Sequence, residues 1–332
     1  MKETAFIKRN KQRWDEFELL LKTQKVHPDV MADLFIKVTD DLAYSRTYYA
    51  DSRTTKYLNW LAAGLHQSIY KNKKESSNRL ITFWALELPL MFKSAHQELL
   101  LSFLIFSFFV VIGVVSTHYD NDFPRLILGD SYVNMTLENI KNKDPMAVYK
   151  DAESTNMFFQ ITLNNIMVSF YTFASGIFSS LGTSYFLMRN GIMLGAFQYF
   201  FHQHGLLLDS FLVIWIHGTL EISAIVIAGA AGMVMGNSLL FPKTYTRLQS
   251  FMMGAKRGVK IIIGLVPIFI IAGFLESFVT RLTEMHDVLK FAIILVSLSF
   301  IIGYFIIYPI ILNRKLSYHE EQETNSLYSK EM

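Results

Sequence analysis

The sequence predicts an all-α membrane protein: a polytopic bundle of about six transmembrane helices with an N-terminal cytoplasmic helical region. Two observations lead to this prediction. Hydrophobic residues make up 52% of the 332 residues, whereas soluble chains average about 45–50% apolar even when glycine is counted. These residues are concentrated in blocks of about 20, the length at which a helix crosses a bilayer.

The composition excludes several kinds of site. The chain contains no cysteine, so it has no disulfide, thiolate metal site or thiol nucleophile. The net charge is only +3, and no basic stripe carries interleaved aromatic residues, which argues against nucleic-acid binding. The motifs of serine hydrolases and nucleotide-binding loops do not occur. We therefore predict a protein that is not an enzyme, with no catalytic residues and no cofactor.

Residues 1–97 are predicted to form a cytoplasmic and interfacial helical region. Residues 1–25 are charged throughout and lack the apolar centre of a secretory signal, so this region is expected on the cytoplasmic side. Its helices are expected from apolar residues at helical spacing. The clearest face is formed by Trp14, Phe17, Leu20 and Leu21.

The segment "RLITFWALELPLMFKSAHQ" (79–97) permits two interpretations. Its aromatic residues Phe83, Trp84 and Phe92 and its flanking charges are typical of an amphipathic helix that lies at the membrane interface. The alternative is a helix packed against the others. The sequence does not decide between them.

The membrane bundle is predicted over residues 98–313, followed by a cytoplasmic tail at 314–332. A loop at 118–156, rich in Asp and Asn, is expected on the periplasmic or extracellular side. The six spans are expected at about 99–117, 157–178, 184–203, 208–236, 259–279 and 288–312.

The orientation follows from the positive charges of the short connections. Cytoplasmic loops of membrane proteins carry an excess of Lys and Arg. If the N-terminus is cytoplasmic, the short connections of the opposite side hold only Arg281. We therefore predict that both termini are cytoplasmic. The basic residues expected on that side, in the connections or near the ends of the spans, are Arg189, Lys243, Arg247, Lys256, Arg257, Arg314 and Lys315.

The fourth span carries two ionisable residues. His217 and Glu221 are four residues apart and therefore share a helix face. An ionised carboxylate at the centre of a bilayer costs about 2.5–3.5 kcal/mol, so Glu221 is expected to be protonated, paired or exposed to a wet cavity. Asn164 and Asn165 of the second span complete the predicted intramembrane polar cluster.

Small residues continue from this pair along the fourth span. Ala224, Ala228, Gly232 and Gly236 recur every four positions, the spacing that lets membrane helices approach closely. Gly191 and Gly195 have the same spacing in the third span, and we expect them to form the surface that matches this ridge. They also offer a surface for dimerisation, unless the bundle itself uses them.

Three hypotheses account for the polar cluster. The first is structural: the four polar residues hydrogen-bond across helices and hold the bundle in register. The second is a proton, ion or ligand site between spans two and four. The third is a metalloprotease site, but His217 and Glu221 supply only two ligands and do not form the HExxH pattern. His202 and His204 are the candidates for further ligands, although they are expected at the outer surface. We therefore predict no metal site.

The fourth-span sequence "HGTLEISAIVIAGAAG", with the preceding "NGIMLGAF" and the multi-span layout, resembles the stage II sporulation protein M family (the DUF95 membrane proteins). The likeness covers roughly 75–312, and the family has no established catalytic residue. Its signature, carried over by position, comprises Asn190, Gly191, Gly195, His217, Gly218, Glu221, Ile222, Ala228, Gly229 and Gly232.

The resemblance implies a multi-pass protein of the bacterial inner membrane. The founding member of the family is a scaffold that places peptidoglycan-degrading enzymes, and the genes of many relatives neighbour those of MoxR-type AAA+ ATPases. We therefore expect a non-enzymatic scaffold whose partners are the lipid bilayer and other membrane or cell-envelope proteins. A channel or proton-coupled transporter that uses His217 and Glu221 is the alternative.

Overall fold

The computed structural model describes residues 2–22, 28–70, 79–147, 154–282 and 285–318. The chain divides into two compact units, Met1–Arg79 and Leu80–Met332. The described part is almost entirely helical and contains no strand. The predicted all-α class is therefore confirmed.

The first unit contains three helices: α1 (Glu3–Lys22), α2 (Pro28–Tyr48) and α3 (Arg53–Tyr70). Trp14 and Phe17 are buried in its core, as their spacing predicts, while the side chains of Leu20 and Leu21 lie outside the described residues. Asp41 of α2 joins two helices, because its carboxylate accepts hydrogen bonds from Trp14 Nε1 at 2.8 Å and from Arg13 at 2.5 Å. The core comprises Phe6, Trp14, Phe17, Leu34, Val38, Leu42, Leu58, Leu61 and Ala62.

The second unit holds the remaining helices. Short helices begin it and occupy the loop between the first two spans, and long apolar helices form the rest. The helices are α4 (Arg79–Thr82), α5 (Leu88–Ser94), α6 (His96–Tyr119), α7 (Phe123–Leu128), α8 (Asp130–Lys141), α9 (Ser154–Ala174), α10 (Ser179–Gln203), α11 (Leu207–Leu240), α12 (Arg247–Phe274) and α13 (Asp287–Ile302).

Five helical segments of the described residues are long and apolar enough to cross a membrane. The second of them, Thr155–Gln203, has 49 residues and contains both α9 and α10. A straight helix of that length would extend about 73 Å, far beyond the bilayer core of about 30 Å. The chain instead bends sharply after a 3₁₀ turn at Ser175–Phe178, where Ser179 has a φ of 66°. The predicted second and third spans correspond to the two arms of this segment.

Contacts with α11 fix the directions of the two arms. Asn165 of α9 bonds Glu221, and Thr172 lies against Gly232, so α9 runs parallel to α11. Ser180 of α10 bonds Asn237 near the end of α11. The other end of α10 packs against the beginning of α11 through Phe200, Phe201 and Val213. Therefore α10 runs opposite to both, and the turn at Ser175–Phe178 reverses the chain.

The first and last spans meet at one end of the bundle. Phe92, just before α6, packs edge-on against Phe305, which lies in the π-helical turn (Gly303–Ile307) that follows α13. Glu98 at the start of α6 accepts a hydrogen bond from Asn237 near the end of α11, at 3.3 Å. The beginning of α6 and the ends of α11 and α13 therefore share one end of the bundle.

The segment after Arg79 shows the packing that was one of the two interpretations left open by the sequence. Leu88 and Phe92 are buried in the core of the bundle, and the hydroxyls of Tyr304 and Tyr308 donate to the carbonyls of Trp84 and Ala85. The segment is thus packed on the bundle. Its exposed apolar side chains, Leu80, Ile81 and Leu86, leave it an apolar outer surface.

The central helix of the bundle is α11. Most of its residues from Ser210 to Gly236 are buried, although its composition resembles that of the other spans. The helices α6, α9, α10, α12 and α13 all pack against it. A helix surrounded in this way can use all of its faces for packing or for a site.

Candidate functional site

The side chain of His217 lies in the interior of the bundle, with 4% of its surface exposed. Its Nδ1 is 3.0 Å from the hydroxyl of Thr280, which directly follows the last turn of α12. Its Nε2 is 3.9 Å from a carboxylate oxygen of Glu276. The imidazole of α11 therefore contacts Glu276 and Thr280, two residues that follow the end of α12.

Glu221 brings a third helix to the same place. Its carboxylate accepts a hydrogen bond of 2.6 Å from the amide of Asn165 on α9. One ligand atom each from His217, Glu221 and Glu276 lie within 4.8 Å of one another. We call these three residues the His–Glu–Glu cluster.

A local change of helix type presents Glu276 and Thr280 to the cluster. The segment Leu275–Val279 is a π-helical turn, in which the amide of Thr280 donates to the carbonyl of Leu275 at 2.8 Å. The hydroxyl of Thr280 donates to the same carbonyl at 3.1 Å. Single π-helical turns within α-helices occur frequently at functional sites.

The hydrogen bonds of Thr280 assign the tautomer of His217. A carbonyl oxygen only accepts, so the single hydroxyl proton of Thr280 is donated to Leu275. With this assignment the hydroxyl oxygen accepts from His217 Nδ1–H. A neutral imidazole then carries its lone pair on Nε2, the nitrogen that faces Glu276.

The two carboxyl groups repel each other when both are ionised. They are partly buried in a bundle whose surroundings contain little water, where unscreened like charges cost several times more than in solution. Such a pair is stable when it shares a proton or when it binds a cation. The arrangement can therefore hold a proton or a positive ion.

The comparisons with known proteins agree with this membrane architecture. The sequence model of the family described as Stage II sporulation protein M matches residues 102–281, more than half of the 332 residues. The chain belongs to the stage II sporulation protein M family. This confirms the resemblance drawn from the fourth span. A second model, described as a domain of unknown function (DUF8413), matches residues 4–71. No curated protein and no solved structure matches the chain significantly.

The match to the stage II sporulation protein M family includes the whole His–Glu–Glu cluster. Of the four predicted cluster residues, His217, Glu221 and Asn165 meet in the structure, but the side chain of Asn164 is exposed. The grouping of Asn164 with the others is not what the structure shows. Adjacent residues of a helix point about 100° apart, so only one of two neighbouring asparagines can face α11.

The sequence did not identify Glu276 and Thr280 as part of the site. Glu276 lies near the end of the predicted fifth span, five residues before Arg281. In the structure its ion-pair contact is with His217. The available signal was a carboxylate within an apolar block, which by itself indicates a functional residue.

The small residues of the family signature pack against different helices. A methyl group on Gly191 would lie 2.7 Å from the carbonyl oxygen of Phe106. A methyl group on Gly195 would overlap the carbonyl oxygen of Val110. These glycines therefore pack against α6, and the expectation that they match the ridge of α11 is wrong. The amide of Asn190 bonds within its own helix, to the carbonyl of Phe186.

The ridge of α11 meets several neighbours. Ala224 and Ala228 are fully buried in the main core. A methyl group on Gly232 would lie 2.5 Å from the hydroxyl of Thr183, and one on Gly236 would lie 2.6 Å from the amide of Ser180. The remaining signature residues of α11 differ. Gly229 packs tightly against Ser102 and Leu187, and Ile222 is partly buried, whereas a methyl group added to Gly218 would make only ordinary contacts, at 3.7 Å.

The two histidines considered as further ligands do not reach the cluster. His202 and His204 lie at the end of α10, both exposed. His204 Nδ1 is 2.8 Å from the carbonyl of Phe200 in its own helix. The third donor of the cluster comes from α12 instead.

Proposed function

We propose that the chain is a non-enzymatic scaffold of the bacterial inner membrane, which holds cell-envelope enzymes or AAA+ ATPase-linked partners. The observation that carries the proposal is the division into two units, each matched by a family model of its own. The first unit has a separate hydrophobic core. A membrane bundle joined to an independent helical module is the construction that an adaptor requires.

The first unit also exposes an aromatic residue suited to a partner. Trp60 of α3 is 55% exposed, and its ring stacks on Tyr57. Tryptophan contributes strongly at protein interfaces because it buries a large apolar surface at little cost in conformational entropy. Trp60 is therefore our candidate for the centre of a docking surface on the cytoplasmic side.

The test is a mild-detergent pull-down of the tagged full chain from its own membranes, quantified by mass spectrometry. We expect stoichiometric cell-envelope enzymes or AAA+ partners, with recovery of the cytoplasmic partner reduced about tenfold in Trp60→Ala, the usual loss at an aromatic hot spot. Lys56→Ala, a change at another exposed residue of α3, is the matched control. Recovery of the chain alone would contradict the scaffold.

We further propose that both termini are cytoplasmic. The beginning of α6 and the end of the α13 segment lie at the same end of the bundle, and the basic connection between α11 and α12 lies at that end too. Because the chain has no cysteine, single substitutions can be labelled without background. A membrane-impermeant maleimide added to intact cells should label Asp122→Cys and not Thr244→Cys. Labelling of Thr244→Cys and not of Asp122→Cys would show the opposite orientation and contradict the proposal.

A channel or proton-coupled transporter is the second candidate. It is favoured by the approach of two carboxyl groups inside the bundle, because a shared proton is the usual property of a proton relay. Flux across proteoliposomes that is lost in Glu221→Gln would support transport. Equal flux in the unchanged chain and in Glu221→Gln would exclude Glu221 from a transport pathway.

A further inference from the structure

We propose that the His–Glu–Glu cluster binds a divalent transition-metal cation of the zinc class, held by His217, Glu221 and Glu276. The sequence alone predicts no metal site, because His217 and Glu221 are only two ligands. The third ligand, Glu276, is supplied by the π-helical turn that follows α12, 55 residues beyond Glu221. The proposal is independent of the scaffold role.

The distances between the three side chains suit one ion. In a tetrahedral site with bonds of about 2.0–2.1 Å, neighbouring ligand atoms are about 3.4 Å apart. His217 Nε2 and the oxygen of Glu276 are 3.9 Å apart, and all three ligand atoms lie within 4.8 Å. The separation of 3.9 Å is too long for a hydrogen bond. The ligand atoms must therefore approach one another by a small movement of the side chains when the ion binds.

The imidazole is already prepared as a ligand. The bond from His217 Nδ1–H to Thr280 leaves the lone pair on Nε2, directed at the cluster. Metal-binding histidines almost always donate their other ring N–H to an oxygen in this way. Asn165 plays the corresponding part for Glu221, since it donates to one carboxylate oxygen and leaves the other for a ligand. Thr280 and Asn165 are therefore positioning residues.

The charge of the cluster indicates a divalent ion. Two carboxylates and a neutral imidazole carry a charge of −2, so one divalent cation makes the site neutral. A neutral site is the least costly arrangement within a membrane bundle, where any uncompensated charge is strongly unfavourable. A monovalent ion would leave one negative charge.

The donor atoms indicate the class of metal. Imidazole nitrogen with carboxylate oxygen suits Zn²⁺ and its neighbours in the first transition row. Ca²⁺ requires six to eight oxygen ligands, and Mg²⁺ requires an octahedron. Three protein ligands leave one position of a tetrahedron for water or another molecule.

The experiment uses the full chain in detergent, stripped by a chelator, incubated with Zn²⁺ and desalted. We expect about one zinc per chain by elemental mass spectrometry. Glu276→Gln and His217→Gln should each lose at least tenfold in affinity, and Thr280→Val should lose about 10–100-fold, the range for residues that orient a ligand. Glu98→Gln, which changes a carboxyl group bonded to Asn237 at the far end of α11, should bind as the unchanged chain does.

Co²⁺ provides a readout besides stoichiometry, because its visible absorption reports coordination by nitrogen and oxygen in a site of low coordination number. A four-coordinate Co²⁺ spectrum in the unchanged chain, absent from the folded Glu276→Gln protein, supports the assignment. Thermal unfolding of each variant without metal establishes that it is folded. If Glu276→Gln fails to fold, the melting temperature is measured with and without Zn²⁺ instead. We expect Zn²⁺ to raise the melting temperature of the unchanged chain and not that of Thr280→Val.

Two results would overturn the proposal. One is the absence of zinc from the unchanged chain after desalting. The other is zinc that remains equally in the folded variants, which would show an adventitious ion only.

Discussion

Between His217 and Glu221, α11 meets its neighbours through hydrogen-bonding and ionisable side chains, whereas along the ridge of Ala224, Ala228, Gly232 and Gly236 it meets them through residues with little or no side chain. In the first half the nearest partners are side chains of α9 and α12. In the second half they include backbone atoms of α9 and α10. The close approach of the second half fixes the positions of the helices, and the first half uses that fixed framework to bring three polar groups together.

This comparison separates stability from binding. Where backbones touch, any added atom must displace a whole helix, so the cost is high. Where side chains meet, a residue of equal size can replace another with little effect on packing. We therefore expect substitutions at the glycines to unfold the bundle and those in the His–Glu–Glu cluster to change what it binds.

The largest effect is expected at the crossing of α6 and α10. Gly195→Ala would place a methyl group against the carbonyl of Val110 and the amide of Val114, so we expect a destabilisation of about 3 kcal/mol, measured by denaturant unfolding in detergent. Gly303→Ala is the matched control, since nothing lies near an added methyl group there. Equal stability of the two variants would mean that this crossing is looser than described.

A smaller loss is expected within the ridge of α11. Gly236→Ala would bring a methyl group to 2.6 Å from the amide of Ser180, with a cost of about 2 kcal/mol. Gly218→Ala, in the polar half, meets only ordinary contacts at 3.7 Å. It should be neutral or stabilising, because alanine favours a helix over glycine by about 1 kcal/mol. The difference between the melting temperatures of these two variants measures the contrast between the two halves directly.

The next effect concerns a polar contact in the tightly packed region. Ser102 of α6 is buried and donates to the carbonyl of Val226 at 2.6 Å. Ser102→Ala should cost about 0.6 kcal/mol, the average for such bonds between membrane helices. Ser94→Ala, which removes an exposed bond within one short helix, should be indistinguishable from the unchanged chain in the same unfolding experiment.

The smallest effect on stability is expected at Glu221. Glu221→Gln keeps the size of the side chain and an oxygen for Asn165, so the free energy of unfolding without metal should change by less than about 0.5 kcal/mol. Assembly with partners should also remain nearly intact if the chain is a scaffold. A loss of several kcal/mol would show that the cluster is chiefly structural, and strong loss of function with normal folding would count against the scaffold.

The sequence located the long apolar helices well and predicted their neighbours poorly. Each span is a continuous apolar block, and its length and period can be read locally. The helix that packs against Gly191 and Gly195 could not be predicted from the sequence. Their spacing indicates that some helix approaches closely, but it does not identify that helix. The same limit applied to Asn164 and Asn165, since their rotation about α9 decides which of them faces Glu221.

The site was predicted in part for a related reason. His217 and Glu221 were recognisable because they lie in one turn of one helix. The contribution of Glu276 depends on the π-helical turn at Leu275–Val279, and no residue pattern predicts that turn. Contacts between residues that are distant in the chain are therefore the part of the site that the structure adds.

The turn at Ser175–Phe178 has a consequence for biogenesis. Because only four residues join α9 to α10, the two helices must enter the bilayer together, as a hairpin. The turn is completed by Gly232, whose backbone lies against Gly176, and Gly232 is synthesised more than 50 residues later. At about 5–20 residues per second, the hairpin waits for several seconds with this surface uncovered. Insertion of α11 is thus the step that covers this surface of the hairpin, and a ribosome that pauses before α11 leaves the surface uncovered for longer.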